Sequence, residues 1–329
     1  MKQKLMVGFS LLLLLIVLIL IFRDLFNGAK TGPGNPCDYN LEKLMSIDTS
    51  LIGFKEIRIY KPSLPKCNGI AIDSASNVFI AGDKEVQILD KSFLKIQSFP
   101  VDSIPHCIAV GSHHEIYLGV GNHIEVYNAK GLKLKKWLAL NSKGYITSMA
   151  VHGSYIYVAD AGNRVVLKYT QAGHLEGEIG KKDKSKGIDG FIIPSMYFDV
   201  AVGPDNDLWV VNPGKHKVEN FSANGELISS WGTTSIQLEG FAGCCNPVHF
   251  AILPDGNFVT YEKGLDRIKL YDQTGKFVCV VTGPNKLNRN VNYNCSFGAA
   301  VNDMAVDPQG AIYILDALTN TVRVFGKLF

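Results

Sequence analysis

The chain has 329 residues, 47% of them apolar, and carries a net charge of only +3. That balance excludes a disordered chain, and it excludes the broad positive field on which non-specific nucleic-acid binding depends. Seven cysteines in this length are too few to build a fold from disulfides. The first element is an apolar run over residues 5–22, preceded by Lys2 and Lys4. At about 1.5 Å per residue, a helix there crosses most of a hydrocarbon core, so the run predicts one N-terminal transmembrane helix. A cleaved signal peptide has an apolar core of about 7–15 residues and a small-residue cleavage site. Here the run passes instead into Phe22-Arg23-Asp24-Leu25-Phe26. Lys2 and Lys4 hold the stub of residues 1–4 in the cytoplasm, against the weaker pull of Arg23, and leave the rest of the chain periplasmic or at the cell surface. Residues 23–50, rich in Gly and Pro over 27–40, read as a tether.

Residues 51–329 carry one phrase six times. Its apolar starts are Ile70-Ala71-Ile72, Ile108-Ala109-Val110, Met149-Ala150-Val151, Val200-Ala201-Val202, Phe250-Ala251-Ile252 and Met304-Ala305-Val306, roughly 40 to 50 residues apart. After each start comes a turn such as Pro254-Asp255-Gly256. A strand such as Ile312-Tyr313-Ile314-Leu315-Asp316 follows, then a polar corner and a third strand such as Val165 to Tyr169. Pro, Gly and Asp set these corners, and β-branched and aromatic residues fill the runs between them. The spacing suits one four-stranded blade per repeat, so the fold class is all-β, a six-bladed β-propeller behind the N-terminal helix. Residues 51–60 read as a strand before the first repeat, while the last repeat stops after its third strand. The early strand is therefore expected to become the outer strand of the last blade, which avoids two exposed sheet edges.

Tyr157-Val158-Ala159-Asp160-Ala161-Gly162-Asn163-Arg164-Val165 resembles the NHL repeat, and the resemblance runs from about residue 51 to the C-terminus. The phrases Gly240-Phe241-Ala242-Gly243-Cys244-Cys245-Asn246-Pro247 and Tyr197-Phe198-Asp199-Val200-Ala201-Val202 are similar to a group of exported bacterial NHL proteins of unassigned activity. The resemblance implies the propeller; binding scaffolds, signalling ectodomains, RNA-binding modules and a few enzymes share it, so it does not select a function.

Five cysteines, Cys67, Cys107, Cys244, Cys245 and Cys295, lie in or just before innermost-strand starts, which places them on one face around the channel; Cys37 and Cys279 lie elsewhere. The residue before each apolar start is, in repeat order, Gly69, Cys107, Ser148, Asp199, His249 and Asp303. Repeat symmetry makes these a ring at the channel mouth, joined one residue earlier by His106 and Asn302. Such a ring suits zinc or copper where Cys and His dominate, and calcium where Asp199, Asn302 and Asp303 dominate. The plainer reading is that Asp and Asn bond nearby backbone amides, that small Cys packs where blades converge, and that converging extracytoplasmic thiols form disulfides. Cys244 or Cys245 would then pair with Cys67, Cys107 or Cys295, or the vicinal pair would itself be redox-active.

Pro105-His106-Cys107-Ile108-Ala109-Val110 resembles a metal-histidine strand start of propeller lyases that cleave peptidyl-hydroxyglycine. Those enzymes use three such histidines, and the equivalents of His106 here are Asn68, Thr147, Phe198, Val248 and Asn302, so that reading fails. Asp199, Asn302 and Asp303 faintly resemble the calcium ligands of gluconolactonase-like propellers, without an evident fourth ligand. The basic run Lys181-Lys182-Asp183-Lys184-Ser185-Lys186 reads as a solvated loop, or as a contact for anionic lipid or an acidic partner. The reading favoured is a membrane-anchored binding or scaffold module, more a non-enzyme than an enzyme, that offers its channel face to a protein or small-molecule ligand and takes no nucleic acid. The alternative is a metal- or thiol-dependent redox protein, hydrolase or lyase with its site at the channel mouth.

Overall fold

The computed structural model describes residues 44–138, 141–287 and 301–328, together with Gly8, residues 13–19 and Phe22. The chain falls into two units, Met1–Leu41 and Glu42–Phe329. In the first, residues 13–19 are helical with exposed apolar side chains. Among the described residues no helix is long and apolar enough to cross a membrane. The structure therefore gives the expected transmembrane helix no support; half of residues 5–22 and most of 23–50, with Cys37, lie outside the described residues, as does Cys295.

The second unit consists of six four-stranded antiparallel sheets. Their inner strands are Gly69–Ile72, Cys107–Val110, Ile146–His152, Val200–Val202, His249–Ile252 and Val301–Val306, so each apolar start opens or lies within the inner strand of a blade. The last sheet takes Phe54–Tyr60 as its outer strand, paired antiparallel with Thr321–Lys327. That pairing ties the first strand of the ring to the last.

Local chemistry explains the hairpins. In the turn before the outer strand of blade 5, Asp272 Oδ1 accepts hydrogen bonds from Thr274 N at 2.9 Å and Lys276 N at 2.9 Å, and Gly275 takes φ 83°. Asp90 and Asn128 do the same in blades 1 and 2. These short side chains satisfy turn amides that no ladder reaches. The same turns also join neighbouring blades. A Cβ on Gly173 would lie 2.6 Å from Trp137, and one on Gly275 would lie 2.3 Å from Trp231. Each turn glycine thus sits against an aromatic at the end of the previous blade's outer strand, where no side chain fits. Between blades, cores such as Tyr157, Val166, Phe191, Phe198, Leu208 and Val210 bury residues from two adjacent sheets together.

Candidate functional site on the channel-mouth face

In an antiparallel blade, the corner between the second and third strands emerges on the same face as the connection from the outer strand to the next blade. The contacts bear this out: the Tyr145 amide donates to Asp160 Oδ1 at 2.9 Å, and the Cys67 amide donates to Asn320 Oδ1 at 2.9 Å. A central cavity of about 270 Å³ is lined in part by Cys107, Ser148, Asp199 and Asp303.

The ring works as a set of latches between blades. Asp303 Oδ2 accepts from Ile70 N of the next blade at 2.9 Å while its Oδ1 accepts from Met304 N at 2.8 Å. Asp199 repeats this, accepting from Phe250 N of the next blade at 3.1 Å and from Val200 N at 2.9 Å. Ser148 receives Val200 N at 3.4 Å and donates its hydroxyl to Asp199 Oδ1. The positions one residue earlier form a second row: Asn302 Nδ2 donates to Cys67 O at 2.7 Å, Asn68 Nδ2 to Pro105 O at 2.9 Å, and Thr147 Oγ1 to Phe198 O at 2.6 Å. His106 packs at a tilt against Tyr145 of the next blade, its Nδ1 3.3 Å from the tyrosine hydroxyl. The inner edges of adjacent sheets share no ladder, so side chains make the bonds that join them.

His249, like Ser148, pairs with the Asp199 side chain: its Nδ1 lies 3.3 Å from Asp199 Oδ2. Burial alone would lower the His249 pKa, but the bond and charge of Asp199, with the charge of Asp303, raise it above the ordinary imidazole value. Burial pushes the Asp303 carboxyl up to about 7; the His249 charge opposes that shift and Asp199 adds to it. Both His249 and Asp303 therefore favour their protonated forms relative to their ordinary values. Among the described residues no three His, Cys, Asp or Glu side chains converge as a metal site requires. The thiols of Cys67, Cys107, Cys244, Cys245 and Cys279 are free. The disulfide expectation finds no support among them because Cys67 and Cys107 are each packed separately in a blade core. Cys67 lies in the core shared by the first and last blades, and Cys107 in that of the second and third. Burial raises both thiols, Cys67 to about 12.

The loop carrying Cys244 and Cys245, residues 232–248, is built differently. Its backbone is held by buried charge from blade 5: Arg267 donates to Ile236 O at 3.1 Å, Tyr271 to Leu238 O at 3.1 Å and Lys269 to Gly240 O. Glu262 Oε1 accepts from Ala242 N at 2.6 Å, and its other oxygen binds Arg267 Nε at 2.9 Å and Lys269 Nζ at 3.0 Å. Asn246 closes the tip, donating to Ala242 O at 2.6 Å and Lys263 O at 2.9 Å while accepting from Lys263 N at 2.8 Å. At that tip the Cys244 and Cys245 sulfurs are 3.6 Å apart. Lys263 Nζ sits 4.7 Å above the Tyr197 ring, which meets His249 edge-on at 6.3 Å, and the neighbouring Cys245 sulfur, against the opposing effect of burial, raises the Lys263 pKa. Lys263 and Ser195 carry no motif; they come from other connections, and only folding brings them to the thiols.

Beside the channel mouth, a cleft of about 600 Å³ opens between blades 3 and 4, lined by Arg164, Lys181, Lys182, Phe191 and Lys215 among others. Lys181 pairs with Glu178 at 2.6 Å and Lys215 with Asp189 at 3.8 Å. Part of the basic run thus lines a concavity.

Fold and site together define a class, the six-bladed β-propeller closed by its N-terminal strand. No family model matches the chain, and no curated protein matches it in sequence. It is similar in structure to a streptogramin B lyase, with a TM-score of 0.58 and 16% identity over 85% of this chain and 100% of that one. Virginiamycin B lyase from Staphylococcus aureus gives a TM-score of 0.56 and 14% identity over 84% and 100% of the two chains. A protein of unknown function from Bacteroides thetaiotaomicron gives 0.56 and 16% over 86% and 74%. At such identities the likeness carries the fold alone.

Proposed function

We propose that this chain is an NHL-type binding module, tethered to a membrane by residues 5–22 with residues 1–4 in the cytoplasm and the propeller outside it. It takes an anionic ligand on its channel-mouth face. The observation that carries this reading is the cleft between blades 3 and 4. Its volume, about 600 Å³, lies in the range of small-molecule sites. Its lining joins the apolar Phe191 to Arg164 and Lys182, which have no carboxylate partner among the described residues. The channel-mouth polar groups support the same reading, because their bonds are spent on joining blades and leave little for catalysis.

Two experiments test it. A short poly-glutamate peptide and a sulfated oligosaccharide, added to the full chain in detergent, should raise the melting temperature, by mass action on the folded state. The Arg164→Ala/Lys182→Ala variant should lose that shift; an unchanged shift would move the site elsewhere. For the tether, the full chain should stay with membranes after alkaline washing while a chain lacking residues 5–22 is released. Retention of the shortened chain would remove the anchor from the proposal.

A further inference from the structure

We propose that Cys244 and Cys245 are a peroxide-reactive dithiol, with Cys245 the attacking sulfur, Cys244 the resolving thiol and Lys263 the cation that stabilises the attacking thiolate. This goes beyond ligand binding and does not depend on the cleft.

Four observations converge on it. The sulfurs are already 3.6 Å apart, and because the two residues are adjacent, the bond between them closes a strained eight-membered ring, the kind of disulfide that is readily reduced again. Lys263 is fixed beside Cys245 through its own backbone, because Asn246 bonds both its N–H and its C=O. The Ser195 hydroxyl, buried and without any conventional hydrogen-bond partner, lies against the Cys245 sulfur. Burial alone would raise the Cys245 thiol, but contacts from Ser195, Lys263 and Cys244 and the charge of Lys263 outweigh it and hold the thiol below its ordinary value. The thiols of Cys67, Cys107 and Cys279 are all raised by burial. The same chain therefore contains its own unreactive controls.

Exposure selects the oxidant. Cys245 is only 3% exposed while Cys244 is exposed, so a protein disulfide would meet the wrong sulfur first, whereas a hydroperoxide is small enough to reach the thiolate. In the first step the Cys245 thiolate attacks the distal peroxide oxygen. The S–O bond forms, the O–O bond breaks, and the leaving oxygen takes a proton from Lys263 Nζ, which regains one from water. In the second step Cys244 attacks the sulfenic sulfur; the S–S bond forms, the S–O bond breaks, and hydroxide leaves with the Cys244 proton as water. The dithiol loses two electrons and the hydroperoxide gains them, ending as an alcohol or water. A resolving thiol this near also protects Cys245 from further oxidation.

The test treats the full chain in detergent with hydrogen peroxide and maps thiols and dimedone adducts by mass spectrometry. The wild-type chain should lose two thiols in one fast phase, both at positions 244 and 245. Cys244→Ser should accumulate a dimedone-trapped sulfenic acid at Cys245, and Cys245→Ser should lose the fast phase. Lys263→Met should slow the reaction about tenfold near neutral pH and move the midpoint of the pH–rate profile upward, while Lys263→Arg keeps most of the rate. If Cys245→Ser fails to fold, the Cys244→Ser trap and the two Lys263 variants still decide. A sulfenic adduct on another cysteine, a disulfide from this pair to a distant cysteine, or an unchanged Lys263→Met rate would overturn the proposal.

Discussion

The channel mouth and the loop at residues 232–248 share a face and many residue types, yet they spend their polar groups in opposite ways. At the mouth, Asp199, Asp303, Ser148, Asn302 and Thr147 turn their side chains onto backbone amides, carbonyls or one another across the blade boundaries. In the loop, Glu262, Arg267, Lys269 and Asn246 come from blade 5 and the loop tip to satisfy the backbone, which leaves the two thiols without a structural duty. Residue type alone does not mark a reactive site. What matters is whether the fold has already used the group's bonding capacity.

The largest effect that would break this comparison is Glu262→Ala. It leaves Arg267 and Lys269 buried without their counter-charge and should destabilise the protein by roughly 3–5 kcal/mol. Denaturant melts would show the loss, and the fast peroxide phase should vanish with the loop's geometry. A loss under about 1 kcal/mol would mean that buried charge does not hold this loop.

Asp199→Ala should have a smaller effect, about 2–3 kcal/mol, because it strands the Phe250 amide and the His249 ring. It should leave the fast thiol phase intact. Loss of that phase in Asp199→Ala would join the two regions into one functional unit and erase the distinction drawn here.

The smallest effect is a pH dependence. The folded Asp303 carboxyl sits at about 7 against an ordinary value of 3.8, so in that window the folded chain binds more protons than the unfolded one. Its stability contribution is full below about pH 4 and is lost as pH rises through about 7. His249, raised in the same sense, adds a loss of the same sign as pH rises through its own folded value. Asp303→Asn keeps an oxygen acceptor for the Ile70 amide and should flatten the slope of melting temperature between about pH 4 and 7. An unchanged slope would assign the titration to another group.

Much of this architecture was legible in the residues. Six apolar starts, each with Asp, Asn, Pro or Gly at its turns, announce six blades because turn chemistry and strand alternation act over a few residues. The Gly-Cys-Cys-Asn-Pro phrase was equally visible, and so was the ring from Gly69 to Asp303. What the ring residues do was not visible. The sequence spacing suits a metal as well as a latch, and only the folded positions of the Ile70 and Phe250 amides reveal the latch. Ser148 bridges Asp199 and the Val200 amide.

The sequence by itself determined where strands begin, where they turn and how many blades there are, since each of these depends on near neighbours along the chain. Only the tertiary structure decided which polar groups are already bonded, which thiols are buried apart, and that Lys263 and Ser195 meet Cys245. Those outcomes depend on distances between residues from about 20 to more than 200 positions apart in the chain, and on the loss of water around them, which sets both hydrogen-bond partners and pKa values.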